Sequence, residues 1–79
     1  MRVERIVSRG HASPPGFWYC QHEDELVLLV AGAARLEIEG EGELAVCPGD
    51  WVDIPKGVRH RVSQTGPDAD TIWLAVFRA

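Results

Sequence analysis

An all-β fold, a small barrel or sandwich, is predicted by three features of this chain. Its apolar residues recur with a period of two rather than 3.6, its apolar runs are short and rich in β-branched and aromatic residues, and Gly, Pro and Asp bound them. No capped helical segment, internal repeat or low-complexity linker interrupts the pattern. With 79 residues, the chain reads as one domain, 1–79, near the small end of what folds without a staple, so burial against a partner is expected.

Taken in order, strands are expected near Val3 to Ser8, Phe17 to Gln21, Glu25 to Val30, Ala33 to Glu39, Glu43 to Cys47, Trp51 to Ile54, Arg59 to Gln64 and Thr71 to Phe77. Turn chemistry separates them at Ala31 and Gly32, Gly40 to Gly42, Pro48 to Asp50, Pro55 to Gly57 and Gly66 to Asp68. Between Ala33 and Glu39 the alternation sets Leu36 and Ile38 against Arg35, Glu37 and Glu39, which marks a half-buried strand with a wet face. The segments Leu26 to Val30 and Ile72 to Phe77 are apolar on both faces. Either they fill both sides of one small sandwich, or a second copy covers them in a homodimer, by pairing strands or stacking sheets.

The net charge of −4, the pI near 5.2 and the lack of a Lys/Arg cluster argue against nucleic acid or an anionic membrane as partner. No apolar stretch reaches bilayer length, and Arg2, Glu4 and Arg5 stand where a secretory signal would place its apolar core, so a cytoplasmic location is expected. Cys20 and Cys47 are expected to be free thiols in that compartment.

The sharpest local pattern is Gly49-(x)5-Pro55-x-Gly57-x-x-His60, in which two glycines and a proline set the backbone around a short apolar strand and then aim one histidine. It resembles the second signature motif of the cupins. The first cupin motif, Gly-(x)5-His-x-His-(x)3 or 4-Glu-(x)6-Gly, is matched by Glu25 and by Gly32 beyond six intervening residues. Its two histidines are replaced by Trp18 and Cys20 or by Tyr19 and Gln21, and Gln64 stands where the second motif ends in Asn. The resemblance runs from about Gly16 to Phe77 and implies a small cupin-type, jelly-roll-like β-barrel or sandwich with its site at the barrel mouth. Relative to typical cupins the N-terminus is short, so a strand that completes one sheet is expected to be absent or supplied by a partner.

Cupins that bind metal use three histidines and a glutamate, so the resemblance implies that His60 and Glu25 inherit two ligand places for a divalent ion: Zn, Fe, Mn, Ni or Cu. Cys20 and His22, at i, i+2 spacing, share one face of a continuing strand and are candidates for the missing pair. Tyr19, Gln21, Trp51 and Trp73 are the expected pocket wall, Arg59 and Arg61 are expected to point outward on either side of His60, and His11 is expected at the surface. Competing with these roles are plainer ones: Cys20 as a small buried hydrophobe, His22 as a loop residue, Glu25 as part of a solvated acidic run with Glu23 and Asp24. Three functions stay open: a metal-dependent enzyme acting on a small organic molecule, a metal-free binding or sensor module for a small ligand, and a structural partner with a filled interior.

Overall fold

The computed structural model describes residues 1–10, 12–14 and 16–79, so His11 lies outside the described residues. Alternation along the chain produces seven strands: β1 (Arg2–Ser8), β2 (Asp24–Ala31), β3 (Ala34–Ile38), β4 (Gly42–Val46), β5 (Trp51–Ile54), β6 (His60–Thr65) and β7 (Thr71–Arg78). They form two antiparallel sheets, ordered β1-β7-β2-β5 and β4-β3-β6. No helix occurs among the described residues, so none is long and apolar enough to cross a membrane.

Period-two patterning sorts the side chains between core and outside. In β3, Leu36 and Ile38 are buried while Arg35 is exposed. In β7 the inward set is Thr71, Trp73, Ala75 and Phe77. Leu29 and Val46 are almost fully enclosed and, with Ala34 and Trp73, join a cluster that fills the space between the sheets. Burying one such side chain contributes about 1.5–3 kcal/mol.

The four-stranded sheet has an unusual second face. Outward from β7 point Ile72, Leu74 and Val76, and outward from β2 point Leu26, Leu28 and Val30, all intermediate or exposed. Strand register puts Leu74 beside Leu28 and Val76 beside Leu26, so these side chains form one apolar surface with no cover from the other sheet.

At the β2–β3 link the chain leaves one sheet for the other. Gly32 has φ of 90°, and a Cβ there would lie 2.6 Å from Thr71 Oγ1 and 2.7 Å from Thr71 Cα. Only a residue without a side chain permits this approach. Thr71 in turn is fully buried and donates from its hydroxyl to the Ala33 carbonyl at 3.2 Å.

The strand expected at Phe17 to Gln21 does not form. Tyr19 alone makes a bridge, antiparallel to His60, and Phe17 N–H closes a turn onto the Pro14 carbonyl at 3.0 Å. Aromatic content suggested a strand, but Pro14 and Gly16 bend the approach to it, so the segment arches across the start of β6 instead. The other expected strands are found within two residues of their limits. Cys20 and Cys47 are exposed and free.

Candidate functional site

The turn before β6 explains how His60 is aimed. Val58 N–H donates to the Pro55 carbonyl at 3.2 Å, and Gly57 has φ of 81°. A β-turn with positive φ at its third residue calls for glycine there. The chain then enters β6 with His60 locked to Tyr19 by two backbone hydrogen bonds, Tyr19 N–H to the His60 carbonyl at 2.7 Å and His60 N–H to the Tyr19 carbonyl at 3.0 Å. Gly57 N–H donates to the Gln21 carbonyl at 2.9 Å, and Lys56 N–H to Asp24 Oδ1 at 2.8 Å. The arch at residues 17–21 is thereby tied to the Pro-Gly turn along its length.

Inward alternation does the rest. Glu25 on β2 and His60 on β6 come from different sheets, yet His60 Nε2 lies 3.5 Å from Glu25 Oε1, and both residues are buried. His60 Nδ1 is 3.3 Å from the Val58 carbonyl, which accepts its proton and turns Nε2 toward the carboxylate. Burial works against the charged imidazole and is the largest single influence on its pKa. The nearby Glu25 carboxylate and the Val58 carbonyl together outweigh it and raise the pKa above the usual 6.5. The Tyr19 ring stacks near the imidazole, with centroids 5.7 Å apart.

These residues border a cavity of about 280 Å³ between the sheets. Its polar lining is Glu4, Ser8, Tyr19, Gln21, Glu25 and His60; its apolar wall is Ile6, Val27, Leu36, Ile54, Val62, Trp73 and Phe77. Among the described residues no lysine or arginine lines it. Two acceptor oxygens there, Gln21 Oε1 and Glu25 Oε1, are buried without a hydrogen-bond partner; the 3.5 Å approach of His60 is an ion-pair distance, too long to satisfy Glu25. A buried oxygen left without a donor costs about 1–3 kcal/mol.

Of the residues singled out from sequence, Tyr19, Gln21 and Trp73 lie on the cavity wall with Glu25 and His60. Trp51 does not: it sits on the outer face of β5, 57% exposed, because Val52 and Ile54 take the inward positions of that short strand. Cys20 and His22 are exposed as well. The Tyr19–His60 bridge decides this, since it sends residues 19 and 21 inward and residue 20 outward, leaving Cys20 Sγ 3.7 Å from the Gly57 carbonyl. Arg59 and Arg61 point away from the cavity, paired with Glu39 at 3.2 Å and Glu37 at 3.0 Å.

The sequence reading did not name Glu4, Ile6 and Ser8. The register with β7 sets Ile6 opposite Trp73 and Glu4 opposite Ala75, on the inner face. Strand pairing was the missing signal.

The donor set does not fit a tightly held divalent ion. Among the described residues no three of His, Cys, Asp and Glu come together as metal ligands: His60 and Glu25 approach each other, and the Glu4 carboxylate, though on the cavity wall, does not complete a set with them. Protein sites that retain such ions supply three or four imidazole, thiolate or carboxylate donors.

Comparison with known proteins agrees with the architecture. No curated protein matches the chain. Among solved structures, a candidate mannose-6-phosphate isomerase from Ralstonia eutropha JMP134 is 48% identical over 96% of this chain and 71% of its own, with a TM-score of 0.93. A cupin-superfamily sugar phosphate isomerase from Silicibacter pomeroyi is 27% identical, with a TM-score of 0.75, over 98% of this chain and 49% of its own. A cupin protein from Bacteroides fragilis is similar in fold, with 19% identity and a TM-score of 0.78, over 96% of this chain and 63% of its own. The chain thus spans from about half to about seven tenths of these proteins' lengths. The cupin domain family matches residues 6–77, and with two sheets and a motif histidine directed between them, the chain belongs to the cupins.

Proposed function

We propose that the cavity is a metal-free binding site for a small, uncharged molecule with an apolar body and hydroxyl groups at one end. The observation that carries this reading is the pair of buried acceptors, Gln21 Oε1 and Glu25 Oε1, which lack donors in a cavity whose remaining wall is largely apolar. A ligand bearing two O–H groups would satisfy both, once rotation of the Gln21 and Glu25 side chains turns these oxygens toward the cavity, and would remove their desolvation cost. At about 30 Å³ per water-sized group, the volume suits roughly ten non-hydrogen atoms. A phosphate group is disfavoured, because Glu4 and Glu25 border the space and no lysine or arginine among the described residues does. In this respect the site is unlike what the name of its Ralstonia relative suggests.

Calorimetric titration of tag-free protein tests this, with phenylethane-1,2-diol and benzyl phosphate as matched probes and elemental analysis of the same sample. The diol is expected to bind, the phosphate to fail, and metal to stay below a few tenths of an ion per chain. Tighter binding of the phosphate, or a stoichiometric ion whose removal abolishes diol binding, would overturn the reading.

A second reading is favoured by the 3.5 Å approach of His60 to Glu25. An imidazole of raised pKa beside a carboxylate can move a proton between neighbouring carbons of a bound α-hydroxy carbonyl compound, the reaction class of an isomerase. Incorporation of solvent deuterium into glyceraldehyde, lost in His60→Gln, is the measurement that distinguishes an enzyme from a binder.

A further inference from the structure

We infer that Arg2 sets the charge selectivity of the cavity, neutralising its rim so that an uncharged ligand is favoured over a cationic one. The inference rests on the uncharged-ligand reading above and adds the residue that enforces it. The lining alone predicts the opposite preference. Two carboxylates, Glu4 and Glu25, and three aromatic rings, Tyr19, Trp73 and Phe77, border the space, and among the described residues no lysine or arginine does. Such a wall attracts an organic cation, through its charge and through the faces of its rings.

Register shows what opposes that attraction. Arg2 pairs with Phe77 and Phe77 with Glu25, so the three occupy one row on the inner face of the four-stranded sheet. From the edge strand the Arg2 guanidinium reaches over the Phe77 ring, 4.3 Å from its centroid. There it pairs with Glu4 at 3.3 Å and with Glu23, just before β2, at 3.0 Å. The chain's own cation thus takes the place, against an aromatic face and between two carboxylates, that the ammonium group of a ligand would take. Glu25 has a counterpart too, His60 at 3.5 Å. Each carboxylate of the lining therefore faces a basic side chain, and neither is left free to select a cation. Asp24 and Arg78, the next pair along the same two strands, lie on the outer face and do not enter this balance. The Arg2 and Glu4 side chains are 53% and 48% exposed, so water screens their pairing and the expected effect is modest.

Calorimetric titration tests it, with phenylethane-1,2-diol and with 2-amino-1-phenylethanol, which at neutral pH carries an ammonium group in place of one hydroxyl. The wild type is expected to prefer the diol. Arg2→Gln should raise affinity for the amine roughly tenfold and leave that for the diol within about threefold. Arg2→Lys, which keeps the cation, should behave as the wild type, and adding Glu4→Gln to Arg2→Gln should cancel the gain, with circular dichroism showing that each variant keeps its fold. The amine measurement stands apart from the earlier reading: a wild type that binds neither compound defeats the diol assignment, whereas a gain of amine binding in Arg2→Gln still upholds the role of Arg2. A wild type that takes the amine as tightly as the diol, no gain in Arg2→Gln, an equal gain in Arg2→Lys, or a gain that survives Glu4→Gln would each overturn it.

Discussion

Two ends of the same sandwich behave differently. At one end Leu29, Val46 and Thr71 are almost wholly enclosed, and Gly32 brings two backbones within contact. At the other, between β1 and β6, the same sheets part around about 280 Å³ and leave two oxygens without donors. The four-stranded sheet is one strand wider than its companion, and β1 is held chiefly by β7, so Glu4, Ile6 and Ser8 look onto open space. The closed end holds the sheets together; the open end carries unsatisfied polar groups that the stability of the closed end tolerates.

The largest test of that contrast is a matched truncation. Leu29→Ala at the closed end should cost about 4 kcal/mol in urea unfolding, and Leu36→Ala on the cavity wall about 2 kcal/mol, because a side chain already bordering empty space loses fewer contacts. Equal costs would erase the distinction between the ends. Gly32→Ala should cost about 2–3 kcal/mol, since its φ and the approach of Thr71 both oppose a Cβ; a neutral result would mean the two sheets are not joined so closely.

At the open end the sign should reverse. Gln21→Leu removes an unsatisfied buried acceptor and should stabilise the fold by about 1 kcal/mol while weakening diol binding, read by thermal unfolding and calorimetry on the same variant. The pH response sharpens this further. Because His60 has a raised pKa in the folded state, its stabilising contribution is complete below about pH 6.5 and is lost as pH rises through the raised value. The His60 ring resonance should titrate above 6.5 in the wild type and fall in Glu25→Gln, where burial is left without its opposing carboxylate. The stability loss on going from about pH 6 to 8 should shrink in the same variant. Smallest of all, Cys20→Ser and His22→Ala should each change stability by less than about 0.5 kcal/mol, as exposed residues outside the cavity do.

Much of this was legible in the residues themselves. Strand alternation, the Pro55–Gly57 turn and the inward aim of His60 depend on interactions within a few residues, and each is visible as spacing. What misled was any choice of face that a distant strand makes. Aromatic character suggests the cavity wall for Trp51, and i, i+2 spacing suggests a shared ligand face for Cys20 and His22, but the partner strands set inward and outward, and neither signal contains them. The arch at residues 17–21 shows the same limit, since one bridge to His60 rather than any local propensity decides that Tyr19 and Gln21 face the cavity.

Sequence alone therefore determined the all-β class, the turns and the cupin motif around His60, because period and turn chemistry act over short stretches of chain. Tertiary structure decided which face of β1 lines the cavity, that Glu25 and His60 meet at 3.5 Å across two sheets, and that Gln21 rather than Cys20 or His22 joins them. The reason is geometric. A one-residue change in pairing turns every side chain of a strand to its other face, and only the long-range register selects between the two.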